Sequence, residues 1–199
     1  MGYETWESFV GPTRLARSAE PRLTSESIDA MKLNGDGGLQ ISYGSLELSD
    51  GALWSGDLQY DLVPVEVAVY FAANGDLGQR YAVASNERAP QQVLRKLLGN
   101  VEPAVWESVL MNRSTSTETL EVGAALHPGS DDVIDNHLNA STERMRRLRG
   151  SSVVGAQYQA YFERVDASEA ERTLLHQAIA ELDDRVTLGA AWDTVRSSA

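Results

Sequence analysis

Residues 65–85 read Val65-Glu66-Val67-Ala68-Val69-Tyr70-Phe71-Ala72-Ala73-Asn74-Gly75-Asp76-Leu77-Gly78-Gln79-Arg80-Tyr81-Ala82-Val83-Ala84-Ser85, and the fold class turns on how this stretch is divided. Val65, Val67, Val69 and Phe71 recur at a period of two, as the inward face of a β-strand does. Valine is stiff at its branched β-carbon and suits a pleated, half-buried surface. Asn74-Gly75-Asp76 supplies a hairpin signal, with Tyr81 and Val83 on a returning strand. Upstream, Leu39, Ile41 and Tyr43 alternate with polar residues, and Leu46 and Leu48 continue past Gly44. Asp50-Gly51 and Gly56-Asp57 mark turns, and Leu58, Tyr60 and Leu62 offer a further strand. Connections this short permit antiparallel but not parallel pairing, so residues 39–85 are expected to form an antiparallel β-meander.

The rest of the chain carries helical spacing. Pro90 suits the first turn of a helix with Val93, Leu94, Leu97 and Leu98 inward, stopped by Gly99. Pro103 opens another with Val105, Trp106, Val109 and Leu110. Asn112 to Thr119 reads as a loop. Ser130 begins a longer helix that carries Ile134, Leu138, Met145 and Leu148 and closes at Gly150. Val154, Tyr158, Tyr161, Phe162 and Val165 make the next stripe, and Ser168 with Glu171 forms a capping box ahead of Leu175, Ile179, Leu182 and Val186. Residues 1–38 form an N-terminal arm, with one short helix around Trp6, Phe9 and Val10 and another around Ile28 and Met31. Asn34-Gly35-Asp36-Gly37-Gly38 follows as a breaker. The expectation is a single α+β domain over 1–199, in which four to five helices within 89–199 cover the 39–85 sheet.

The composition narrows function. The 199 residues hold 17 basic and 29 acidic side chains, for a formal net charge of −12, which disfavours general nucleic-acid binding. Zero cysteines remove disulfides, thiolate metal sites and cysteine nucleophiles. Lys32 and Lys96 are the only lysines. An acidic chain so poor in lysine fits a high-salt source, and arginine-rich codon bias accounts for it equally. No secretory leader and no apolar run of membrane-spanning length is visible, so a cytoplasmic protein, or one assembled into a particle in the cytoplasm, is expected. Asn112 and Asn139 begin Asn-x-Ser sequons, read as chance occurrences.

Two polar clusters stand out. His127, Asp131, Asp132, Asp135 and His137 mix imidazole with carboxylate, which could hold a divalent metal. Their spacing matches no metal motif, and acids after Ser130 also suit a helix N-terminus, so no metal or other cofactor is expected. Arg144, Arg146, Arg147 and Arg149 form a strip of positive charge. It could grip an acidic protein surface or, locally, a phosphate backbone, while also serving the C-terminal end of its helix. His176 sits mid-helix beside Leu175, and no Gly-x-Ser-x-Gly elbow or phosphate loop is present. Trp6 and Trp192 lie near the two ends, where aromatics can anchor an arm onto a neighbouring subunit.

These features favour a non-catalytic structural subunit of a multimeric particle, virion- or phage-like, that works through protein–protein contacts. Self-association into a homo-oligomer is expected, with the arginine strip and Trp6 and Trp192 at the contacts. Other protein subunits could join it, without a membrane. The alternatives are a metal-dependent hydrolase built on His127, Asp131, Asp135 and His137, and an acidic monomeric inhibitor or regulatory binding protein.

Overall fold

A computed structural model describes residues 30–33, 39–43, 46–49, 58–59, 63, 65–181 and 185–198. The chain divides into two compact units, Met1–Ala52 and Leu53–Ala199. In the first, strands β1 (Ala30–Leu33), β2 (Leu39–Tyr43) and β3 (Leu46–Ser49) pair antiparallel in the order β1-β2-β3. Leu33 stands opposite Leu39, and Tyr43 opposite Leu46. Met31, expected on a short helix, lies in β1. The expected helix around Trp6 lies outside the described residues, as do Asn34–Gly38, Tyr60 and Leu62.

The second unit overturns the α+β expectation. Its described residues are organised as helices, and among the described residues of 39–85 no β-meander continues past β3. In place of the expected hairpin stand α1 (Val65–Asn74) and α2 (Leu77–Ser85). The sequence was ambiguous here because a spacing of four satisfies both periods. Val67 and Phe71 are inward in either. The deciding positions are Ala68 and Ala72, buried in the helix, and Val65 and Val69, which the helix leaves 40% and 38% exposed. Alanine is the best helix former, and packing of the 67-68-71-72 face overrides the strand preference of valine.

The expected hairpin turn is a helix-to-helix joint. Asp76 caps α2: its carboxylate accepts from the Gln79 N–H at 2.8 Å, and the Gln79 side chain accepts from the Asp76 N–H at 3.0 Å. Gly75 donates to the Phe71 carbonyl at 3.0 Å, and a Cβ there would stand 2.6 Å from that oxygen, so only glycine makes the joint this tight. Leu58, expected on a strand, is helical and buried, and its carbonyl accepts from the buried Asn86 side chain at 2.7 Å.

Then follow α3 (Gln91–Leu97), α4 (Pro103–Met111), α5 (Thr117–Leu126), α6 (Asp131–Asp135), α7 (Thr142–Arg146), α8 (Gly155–Arg164), α9 (Glu169–Glu181) and α10 (Leu188–Ser198). Helices α3 and α4 begin at their prolines and bury the expected leucines and valines. Within the stretch expected as a loop, Ser116 caps α5, accepting from the Thr119 N–H at 3.2 Å. The long helix expected from Ser130 to Gly150 is instead two short ones. Asn136 ends α6 by donating from its side chain to the Asp132 carbonyl at 2.7 Å, and Ser141 caps α7 through the Arg144 N–H. Ser168 and Glu171 make the expected capping box of α9.

Helices α1–α5 bury Val67, Phe71, Val83, Leu94, Leu98, Val105, Val109 and Leu120. Close approach of α5 to α4 depends on Gly123, where a Cβ would lie 2.5 Å from a Leu110 methyl. A second cluster in the C-terminal helices holds Met145, Tyr161, Phe162, Leu175, Leu188, Trp192 and Val195. Burial of each such side chain contributes about 1.5–3 kcal/mol. Among the described residues, no helix is long and apolar enough to cross a membrane.

Candidate functional site

The two polar clusters marked in the sequence meet, and they neutralise each other. Short helices α6 and α7 bring Asp131, Asp135 and Arg144 together beside Glu121 of α5, so Arg144 enters a nest of carboxylates. Its Nε donates to both oxygens of Glu121 at 2.9 and 3.1 Å. Its Nη1 donates to Asp131 at 2.9 Å and to Asp135 at 2.7 Å. The Arg144 side chain is only 9% exposed. Burial alone would disfavour its charge, but the hydrogen bonds it donates to Glu121, Asp131 and Asp135 outweigh that and hold it protonated. Burial likewise opposes the Glu121 charge, and Arg144 and Ser141 reverse this and leave its pKa below the ordinary value. Arg144 is therefore a buried ionic pin joining three helices.

The remaining arginines do not form a free strip. Arg146 donates to Asp193 at 2.7 Å, tying α7 to α10. Arg147 is half-exposed and reaches Asp135 at 3.4 Å. Arg149 is exposed, and its backbone pairs with Thr187 in an isolated antiparallel bridge. The expected interface strip thus reduces to Arg147 and Arg149. Trp192 is 5% exposed and packs edge-on against Tyr161 at 6.0 Å, so its ring is spent on the chain's own core. The Arg196 guanidinium covers it at 5.1 Å. Trp6 lies outside the described residues.

The metal candidates do not converge. Among the described residues, no three His, Asp or Glu side chains are placed to share an ion. Asp131 and Asp135 are turned to Arg144. His137 is buried, with both ring nitrogens engaged. Nε2–H donates to the Asn112 carbonyl at 2.9 Å, and Nδ1 accepts from the Asn139 N–H at 2.9 Å. This fixes the neutral tautomer, and burial lowers its pKa further. His127 stacks on Trp106, with ring centroids 3.9 Å apart and planes 9° from parallel, and Nε2–H donates to the Leu98 carbonyl at 2.7 Å. Exposed His176 meets the rings of Tyr158 and Phe162 at 5.0 and 5.5 Å.

The sequons are structural asparagines. Asn112 is buried, and its amide donates to the carbonyls of Ala84 and Asn86 at 2.7 and 2.9 Å. The Asn139 amide donates to Arg113 and Thr115 at 2.9 Å each. Neither nitrogen is free for a glycan in the folded chain.

Sequence reasoning missed the surface that remains. Ten large apolar side chains are exposed among the described residues, and four of them, Val65, Val69, Leu77 and Tyr81, lie on α1 and α2. They escaped notice because the strand reading turned Val65 and Val69 inward. The helix signal was the Asp76-x-x-Gln79 cap. No family model, no curated protein and no solved structure matches this chain.

Proposed function

We propose that the chain is a non-catalytic structural subunit that works by protein–protein contact in a multimeric particle, with a virion- or phage-like particle assembled in the cytoplasm as the favoured setting. The observation that carries this reading is the concentration of exposed apolar side chains on two adjacent helices. Single apolar residues are ordinary on any surface, whereas four of the ten exposed ones on two consecutive helices concentrate apolar surface where a partner can cover it. The polar groups best suited to chemistry, His137, Arg144, Asp131 and Asp135, support the same reading because they are used to hold the fold.

The test is absolute mass in solution, by light scattering behind size exclusion, at low and at molar salt. Apolar contacts survive screening and charge contacts weaken, so a multimer that persists at molar salt is expected. A 21.7 kDa monomer at every concentration and salt would refute it and favour an acidic monomeric binder.

A further inference from the structure

We propose that the helices from Leu58 to Leu126 are a tandem array of one 26-residue unit, in which each pair of helices stacks on the next through a rung of asparagine hydrogen bonds and Arg144 closes the end of the stack. Helices α1, α3 and α5 begin at residues 65, 91 and 117, in steps of 26. Helix α2 runs from 77 to 85 and α4 from 103 to 111, so both ends repeat after 26 residues. A constant period of this length marks stacked helical units, none of which can bury its apolar face alone.

The interior repeats with the helices. Val67, Ala68 and Phe71 are buried on α1. Their counterparts 26 residues on, Val93, Leu94 and Leu97, are buried on α3, and Thr119, Leu120 and Gly123, another 26 on, are buried on α5. Val83 and Ala84 of α2 correspond in the same way to buried Val109 and Leu110 of α4. No charged side chain stands at any of these positions. The exposed positions differ in kind, with Val69, Arg95 and Glu121 at one register, all open to solvent. The repetition therefore serves stacking, and the outer surface varies from unit to unit.

Asparagine makes the joints. Asn86 and Asn112 follow α2 and α4 at the same register, and both are buried. The Asn86 amide donates to the Leu58 carbonyl and the Asn112 amide to the Ala84 carbonyl, each 28 residues back and each at 2.7 Å. The Asn112 amide also donates to the Asn86 carbonyl at 2.9 Å, so one rung rests on the other. Each side-chain oxygen accepts from the N–H two residues on, Arg88 at 2.8 Å and Ser114 at 3.0 Å. Leu58 precedes Ala84 by one period and is likewise helical and buried, which makes α1 the second helix of the first unit. An asparagine side chain supplies donor and acceptor together, so it can hold its own turn and the preceding one at once.

The array ends by changing one buried position. Asn139 still donates to the Arg113 carbonyl, 26 residues back. Pro90, Ser116 and Ser141 are the N-caps of α3, α5 and α7. Three residues further on stand Val93, Thr119 and Arg144, all buried. Where the inner units bury an uncharged side chain, the last buries a guanidinium against Glu121, Asp131 and Asp135. Polar contacts in place of apolar ones are how a repeat array finishes.

The experiment inserts a second copy of residues 77–102 after Glu102, and in a control chain a second copy of residues 90–102 alone. The full unit keeps the rungs in phase and the half unit does not. By circular dichroism the full-unit chain should gain the signal of two helices and melt within about 5 °C of the intact chain, and the half-unit chain should melt at least about 10 °C lower. A half-unit chain that melts as high as the full-unit chain overturns the array. Should neither insertion be recovered folded, N86D and N112D decide, because each keeps the side-chain acceptor and removes the amide donor. Amide exchange should quicken most in α1 to α3 for N86D and in α3 to α5 for N112D, since each rung binds neighbouring units. The same helices loosened by both variants, or no change in either, overturns the array. Solution mass is read separately, so a monomer with the period intact removes assembly and leaves the array standing.

Discussion

Replacing Arg144 by methionine keeps most of the side-chain volume and removes the charge that holds α5, α6 and α7 together. The wild-type guanidinium makes four hydrogen-bond contacts to three carboxylates. Those carboxylates do not all count equally. The Asp131 side chain is 63% exposed and Glu121 is 45% exposed, so water compensates them and their pairs contribute little. Asp135 is 17% exposed and bonds Arg144 at 2.7 Å, so it bears most of the loss. Removing one partner of a fully buried pair costs about 3–5 kcal/mol, and solvent access here argues for the lower end, about 3 kcal/mol. At about 2–4 °C per kcal/mol for a chain of this size, the melting temperature should fall by roughly 10 °C. Arg144→Lys should lose about half as much, because it keeps charge but not the fork. Urea unfolding followed by tryptophan fluorescence and circular dichroism gives the free energy directly. The pH dependence carries a defined sign. The Glu121 pKa is depressed in the fold, so its contribution is complete above the ordinary value of about 4.3 and is lost as pH falls through the depressed one. The gap between wild type and R144M should therefore narrow below about pH 4. In a double-mutant cycle, D135N should couple to R144M by at least ~1 kcal/mol. A loss under 1 kcal/mol at pH 7, or no coupling, would refute the view of Arg144 as the pin.

Two further outcomes follow from buried geometry. His137 is held neutral with a lowered pKa, so the unfolded chain takes up its proton first. Stability should fall as pH drops below about 6.5 toward the depressed value, and H137N should flatten the pH 7-to-5 slope of urea midpoints. Gly123→Ala should destabilise by about 1–3 kcal/mol, because the new methyl meets a Leu110 methyl at 2.5 Å, and a trimmed partner in G123A/L110A should recover part of that loss in thermal melts.

The C-terminal helices were the most legible part of the chain. Prolines at the starts of α3 and α4 and the Ser168–Glu171 box of α9 are local devices that work through backbone groups a few residues away. Such signals survive in any tertiary context. The Asp76-Gln79 box was equally local and equally readable, and it outranks Asn74-Gly75-Asp76 as a hairpin sign. The break between α6 and α7 was harder to see. It depends on Asn136, His137 and Asn139 bonding to backbone, and three of those partners, Asn112, Arg113 and Thr115, lie more than twenty residues away.

By itself the amino-acid order determined the charge excess, the absence of thiol chemistry and the starts of α3, α4, α6 and α9. Each depends on residue identity or on contacts within one turn. Only the tertiary structure decided whether 65–71 runs as strand or helix, because Val67 and Phe71 satisfy both periods and the surrounding core chooses Ala68 and Ala72 over Val65 and Val69. Only the tertiary structure turned a run of arginines and a run of acids into partners, because Glu121 and Arg144 stand 23 residues apart and meet through the fold. The same choice of helix over strand left Val65 and Val69 facing outward, on the surface through which this chain is proposed to meet its neighbour.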